Sequence, residues 1–240
     1  MWRHSPPALC RSLFEAAFSC FAPPRCRSCR APLFAYDNPY LCSSCAGKVR
    51  WIGGGACGKC GFPAGQPHED GAFLRDGCAR CRGKTLHLDA AIAVARYQDG
   101  AGNLIRSFKY GGETELGRPL AGMMAERLRG ADFFEKIDLI APVALHPERK
   151  RERGFDQAKI LADRVAKATG LASRDDVLER RTRTMPQASL HRKERLRNME
   201  GVFAANGDRV CGRRILLVAD VLTTGATMAD CARACREAGA

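Results

Sequence analysis

Residues 215–228 read ILLVADVLTTGATM. The run from Ile215 to Val221 is apolar except for Asp220. An apolar run without alternation is what a strand buried on both faces requires. Thr223, Thr224, Gly225, Ala226 and Thr227 then turn the chain straight into a stretch with helical spacing, expected over residues 226–238 and ended near Gly239. This strand–turn–helix suits a phosphate monoester. Gly225 permits a tight turn. Successive N–H groups at a helix N-terminus favour a dianion, and threonine hydroxyls add donors. Asp220 stands at the end of the strand, where a sugar hydroxyl or a magnesium-bound water can be held. The carboxyl end of a parallel strand is also where open α/β sheets place their ligands. The stretch is not a P-loop, because it lacks the GxxxxGK[ST] pattern. The competing reading is an ordinary strand-to-helix turn capped by threonine.

Working outward, the rest of residues 86–240 alternates the same two kinds of segment. Residues 90–97 (AAIAVARY) and 137–145 (IDLIAPVAL) read as strands. Residues 116–129 and 155–169 read as helices, the second closed by Gly170. Apolar strands alternating with helices predict an α/β domain whose mainly parallel sheet is covered on both faces.

Residues 26–85 have a different composition, rich in glycine, proline and cysteine. The first unit is Cys26-x2-Cys29, twelve residues, then Cys42-x2-Cys45; the second is Cys57-x2-Cys60, seventeen residues, then Cys78-x2-Cys81. A CxxC turn sets two sulfurs on one side of a knuckle, and two knuckles complete a tetrahedron around zinc. Gly58 and Gly61 flank the third pair, where thiolates need close backbone N–H groups. Thiolate ligands with no histidine and no open position predict two structural zinc sites rather than catalytic ones. Two pairings satisfy the spacing: sequential ribbons, which are favoured, or an interleaved arrangement that joins pairs one and three. A redox CxxC is the competing chemistry, but a thioredoxin-like fold shows one such pair after a strand, not four in a glycine-rich stretch. Cys10, Cys20, Cys211, Cys231 and Cys235 lack the spacing and read as small buried apolar residues.

Residues 1–25 carry Leu9, Leu13, Phe14, Ala17 and Phe18 at roughly helical spacing, ended by Pro23-Pro24, and predict a short amphipathic helix. The expected organisation is therefore a helical segment over 1–25, a double zinc ribbon over 26–85 and an α/β domain over 86–240. The 240 residues carry 39 basic and 26 acidic side chains, a formal charge of +13, which points to polyanionic partners. Arg11 and Glu15 interrupt the first apolar stretch, so no signal peptide is visible. No run reaches the roughly 18 uncharged apolar residues of a membrane span. A cytoplasmic location is expected, where thiols stay reduced and thirteen cysteines favour metal over disulfide.

ILLVADVLTTGAT resembles the phosphoribosyl pyrophosphate (PRPP) motif of type I phosphoribosyltransferases. VALHPERKRERGFDQAKILA (143–162) and TMPQASLHRKERLRNMEGVF (184–203) resemble stretches of the ComF family of competence-associated proteins, in which a double zinc ribbon precedes such a domain. The resemblance covers residues 24–240. It implies a Rossmann-like phosphoribosyltransferase core. In it, residues 223–227 cradle the 5′-phosphate, Asp220 binds ribose hydroxyls, and a loop over residues 146–153 faces pyrophosphate and magnesium. It also implies a link to DNA uptake in natural transformation, with PRPP as ligand. Single-stranded DNA or a competence helicase is the partner of the alternative, non-catalytic reading. Two departures stand out. The motif usually has two adjacent acids, and Ala219 replaces the first. Relatives usually continue into one more strand beyond the last helix.

The basic residues divide into three runs. His146, Arg149, Lys150, Arg151 and Arg153 follow the strand 137–145 and are the expected pyrophosphate group; guanidinium groups hold phosphate oxygens bidentately. Arg180, Arg181 and Arg183 precede Met185-Pro186-Gln187. Arg192, Lys193, Arg195 and Arg197 read either as a solvated helix face or as a nucleic-acid contact. Lys109-Tyr110-Gly111-Gly112 reads as a mobile loop near the substrate or as a plain surface turn. His146 reads as a structural histidine, His68, His87 and His191 have no constellation around them, and Trp51 and Phe62 read as ribbon mini-core.

Overall fold

A computed structural model describes residues 24–33, 39–53, 56–63, 77–79, 81–181 and 201–240. The amphipathic helix expected over 1–25, Cys10, Cys20, His68, Arg183, Met185 to Gln187, His191 and the third basic run lie outside the described residues, Pro24 and Arg25 excepted. The chain divides into two compact units, residues 1–50 with 95–107 and residues 51–94 with 108–240.

In the first unit, Arg25 and Pro32 form an antiparallel bridge around the first knuckle. Arg30 N donates to Cys26 O at 2.9 Å to close it. Helix α1 (Ser43–Gly47) starts directly at the second knuckle, with Cys42 at its N-cap. Among the described residues of this unit the buried side chains are Cys26, Leu33, Leu41, Cys45, Val49, Leu104 and Ile105. The last two lie on α2 (Asp99–Tyr110). Gly100 of α2 stands where an added Cβ would be 2.7 Å from Cys45 O, so the helix approaches the knuckle more closely than any larger residue allows.

The second unit holds the α/β layer. Strand β1 (Leu139–Pro142) is buried at every position. It pairs in parallel with β4 (Ile215–Val218), Leu139 opposite Ile215 and Pro142 opposite Val218. Ser173 adds a single parallel bridge to Ile140 on the other side. Leu139 and Ala141 share a core with Val177, Phe203, Val210, Cys231 and Cys235. Ile140, of opposite pleat, is fully buried as well, so both faces of the strand are covered. Each such Leu or Ile contributes about 1.5–3 kcal/mol of burial free energy. The short strands β2 (Leu178–Arg180) and β3 (Phe203–Ala205) pair antiparallel.

Helix α3 (Gly117–Arg129) packs on α5 (Gln157–Thr169), and α5 packs on β1 and β4. The Asp156 side chain caps α5 by accepting from Lys159 N, and Gly170 closes it in the left-handed conformation. Helix α6 (Gly207–Val210) links β3 to β4. Helix α7 (Ala226–Glu237) follows the turn after β4 and packs on β3 and β4. The α/β class and its parallel sheet are those read from the sequence.

Residues 90–97 form no strand. Within this stretch Ala91 N donates to Gly58 O at 2.7 Å and Ile52 N donates to Val94 O at 2.9 Å. With Arg96 N donating to Arg50 O at 2.9 Å, these bonds make short bridge contacts to residues 50–58 and no extended strand, so the apolar run covers that segment instead of joining the sheet. Among the described residues, no helix is long and apolar enough to cross a membrane.

Candidate functional site

Strand β4 ends at Val218, and Asp220 follows at its carboxyl end. Residues 221–225 turn the chain into α7. Gly225 is the N-cap with φ 83°, a left-handed conformation that an L side chain adopts only with strain. Thr224 Oγ1 accepts from Ala226 N at 3.3 Å, which sets the first turn of the helix. Thr223 is exposed, and Thr224, Gly225 and Thr227 are half-buried. Residues 220–227 thus form one continuous turn into α7 with Asp220 at its start, in which Thr223 is exposed and Ala226 is buried.

Asp220 Oδ2 accepts a hydrogen bond from Lys109 Nζ at 2.8 Å, and both side chains are mostly shielded from solvent. Lys109 and Tyr110 are the last residues of α2 and not a mobile loop. The helix extends to Tyr110 because its end is held on three sides. Phe108 is fully buried and tilts against Phe155 at 6.0 Å. Lys109 is paired with Asp220. The Arg153 guanidinium lies 5.2 Å over the exposed Tyr110 ring. Arg153 also donates to Gln157 Oε1 at 2.9 Å. Gln157 is 2 % exposed, and its Nε2 has no hydrogen-bond partner. Sequence reasoning placed no role on Gln157; its one signal was a polar residue on the buried face of α5.

The expected pyrophosphate loop is a helix. Residues Pro147–Arg153 form α4, with Pro147 at its first position and the His146 side chain as N-cap, Nδ1 accepting from Glu148 N at 3.3 Å. Gly154 ends it at φ 78°. Pro147 and Gly154 are the standard start and stop residues of a helix, and the run of charges hid them. The helical form separates the basic group. Arg149 and Arg153 are four apart, share a face and are half-buried, whereas Lys150 and Arg151 are exposed. Arg180 stacks on the Phe203 ring at 5.5 Å. Burial pushes the Arg180 guanidinium below its ordinary pKa, and the charge of Arg149 adds to the shift.

The eight spaced cysteines form two groups in sequential pairing: Cys26, Cys29, Cys42 and Cys45, and Cys57, Cys60, Cys78 and Cys81. Within each group all sulfurs lie within 4.8 Å of one another. The Sγ–Sγ distances are 3.7 Å for Cys29 and Cys42, 3.7 Å for Cys57 and Cys81, and 3.7 Å for Cys60 and Cys78. A tetrahedron with zinc–sulfur bonds of about 2.3 Å has edges of about 3.8 Å. The donor set and the spacing both fit, so each group can hold a zinc ion. Backbone N–H groups already serve the sulfurs: Ser28 N donates to Cys26 Sγ and Cys78 N to Cys57 Sγ. Burial opposes ionisation of Cys26, but backbone donors from Cys29, Cys42 and Ser28 outweigh it and bring its pKa to about 6. Burial pushes Cys45 up to about 12 and raises Cys60 as well.

Of the other thiols, Cys231 and Cys235 are buried in the core, and burial raises both. Cys211 departs from the expectation and is exposed. Trp51 and Phe62 also depart from it: they are 39 % and 37 % exposed and are not interior mini-core. Asp230 is a buried carboxylate that the sequence did not single out. It accepts from the backbone N–H groups of Gly201, Val202 and Phe203, each at 2.9 Å, and pairs with Arg233 Nε at 2.8 Å. It anchors the start of β3 on α7.

No family model matches the chain. It is similar to the DNA utilization protein YhgH of Salmonella typhi, with 30% identity over 214 residues, 88% of this chain and 90% of that protein. It is similar to Competence protein F of Haemophilus influenzae at 27% identity over 90% of this chain and 92% of the relative. Competence protein ComFC of Bacillus subtilis matches at 29% identity over 88% of this chain and 83% of the relative.

Proposed function

The chain belongs to the ComF family of competence-associated proteins, and from that premise we propose that it serves DNA utilisation in competence as a protein that binds PRPP with magnesium at residues 220–227. The observation that carries this reading is Asp220 at the carboxyl end of a parallel strand, followed at once by a left-handed glycine and a helix N-terminus. In this reading Thr223, Thr224, Gly225, Ala226 and Thr227 hold the 5′-phosphate through N–H and hydroxyl donors. Asp220 holds the ribose hydroxyls. Arg149 and Arg153, on one face of α4, reach pyrophosphate, and His146 orients that helix through its cap.

Transfer would consist of attack by an acceptor nucleophile on the ribose carbon as pyrophosphate leaves. The chain would contribute positioning and charge stabilisation, which needs no covalent nucleophile of its own. Ala219 leaves a single carboxylate at the strand end, so binding without turnover, as a PRPP sensor, is the reduced form of the same proposal. The two thiolate groups hold structural zinc and take no part in the chemistry.

A second reading, a module that binds single-stranded DNA or a helicase, is favoured by the +13 charge and by the exposed rings of Trp51 and Phe62. Calorimetric titration with magnesium-PRPP separates the two. Binding that is lost in Asp220→Asn supports the first; no heat of binding in the unaltered chain overturns it. A DNA affinity that falls steeply with salt supports the second, through counterion release.

A further inference from the structure

One face of α7 runs along the segment that carries the second cysteine group. Ala229, in the first turn, packs against the cluster of Cys57, Cys81 and Leu86. Arg236 is seven residues further on, about two turns, and so lies on the same face. Its Nε donates to His87 O at 2.7 Å, and a terminal nitrogen of its guanidinium pairs with Asp89 Oδ1 at 2.6 Å. Seven residues before Ala229 stands Leu222, in the turn that precedes the helix. A Cβ placed on Gly61 would sit 3.3 Å from Leu222 Cδ2 and 3.4 Å from Ala91 O. Gly61 follows Cys60 directly and closes the knuckle, its N–H donating to Cys57 O at 2.7 Å. The contacts thus run without a break from the cysteine knuckle to the residue that precedes Thr223.

We infer that the second thiolate group positions the phosphate turn: the knuckle at Cys57 and Cys60 holds Gly61 against Leu222, and Leu222 fixes residues 223–225. Leu222 is a positioning residue and touches no ligand. The physical reason lies in how little else holds this segment. Among its described residues the buried side chains besides the sulfurs are Ile52, Ala56 and Leu86, of which Leu86 alone packs in the sulfur cluster, so the metal supplies much of its rigidity. A side chain at Gly61 would also be strained. Its φ of 66° is left-handed, and a Cβ there would press on Leu222 Cδ2 at 3.3 Å. The ligand part of the inference rests on the reading of residues 220–227 as a phosphate turn; the positioning part does not.

Hydrogen exchange on the full, zinc-loaded chain tests it. In Cys78→Ser, which keeps the first metal site, amides of residues 221–227 exchange at least about tenfold faster while those of β1 are unchanged. Leu222→Ala gives the same local acceleration with the metal content still at two per chain. Unchanged exchange at residues 221–227 in Leu222→Ala overturns the inference. Acceleration that spreads equally to β1 overturns it too, because that is global destabilisation. Magnesium-PRPP affinity falls at least about fivefold in Leu222→Ala if the turn is the ligand site. Absence of PRPP binding in the unaltered chain sinks the ligand reading and leaves the exchange result to decide the positioning.

Discussion

Lys109 Nζ lies 2.8 Å from Asp220 Oδ2, with about a sixth of each side chain exposed. The last turn of α2 therefore holds the one acid at the end of β4. A shielded pair of this kind loses more when one partner is removed than when both are replaced. Lys109→Met is expected to destabilise the fold by about 1–3 kcal/mol, because it leaves a carboxylate short of its donor. Asp220→Asn combined with Lys109→Met should recover part of that loss. Urea denaturation of the four proteins gives the coupling energy, and a value below about 0.5 kcal/mol means that the pair contributes nothing to the fold.

Gly77 precedes the fourth CxxC pair at φ 88°, and a Cβ there would lie 2.8 Å from Cys81 Sγ. Neither the backbone conformation nor the space admits a side chain. Gly77→Ala should lower bound zinc from two per chain to about one, read by elemental analysis of protein purified without chelators. Retention of both metals would show that the sulfur can yield, and the second site would then be looser than its distances imply.

Zinc affinity at the first site should fall steeply with acid. Burial, among other causes, raises Cys45 to about 12; at Cys42 a backbone hydrogen bond with Cys45 lowers the pKa, but burial and hydrogen bonding with Cys29 and Cys26 outweigh it and raise it, so both hold protons at neutral pH in the metal-free form. Binding must release those two protons, while Cys26, with a pKa of about 6, is already largely ionised. Affinity is therefore greatest at high pH and drops by at least about a hundredfold per unit as pH falls from 8 to 7. Chelator competition at the two pH values measures it. A slope of tenfold or less would mean that fewer thiols carry protons before the metal arrives.

The parts of the fold that were readable are those whose cause is local. The CxxC spacing dictates a knuckle whatever surrounds it, and the two sulfur groups formed in sequential pairing. The apolar runs that became β1 and β4, and the helix closed by Gly170, needed only their own composition. Residues 90–97 misled because an apolar run is satisfied equally by a sheet or by covering a neighbouring segment. Residues 147–153 misled because charge on every side removes the hydrophobic period, although Pro147 and Gly154 marked both ends. The Lys109–Asp220 pair and the triple acceptance by Asp230 join residues far apart in sequence, and no periodicity reports them.

Asp230 supplies the last prediction. Its two oxygens accept three backbone N–H groups at 2.9 Å, and Oδ1 also accepts from Arg233 Nε at 2.8 Å. The residue is 5 % exposed, so water cannot replace these bonds. In Asp230→Asn one oxygen becomes an NH2 that faces donors, which leaves at least one backbone N–H unsatisfied and removes the charge that Arg233 balances. Hydrogen bonds to ionised groups are worth about 1.5–3 kcal/mol each, so the loss should be about 2–4 kcal/mol. Thermal and urea unfolding measure it. Zinc content should remain at two per chain, because neither sulfur group touches this carboxylate. Hydrogen exchange should show the damage first at Val202 and Phe203, where the start of β3 loses its anchor, before β1 responds. A variant that unfolds at the same urea concentration as the parent would show that Arg233 alone holds β3 to α7.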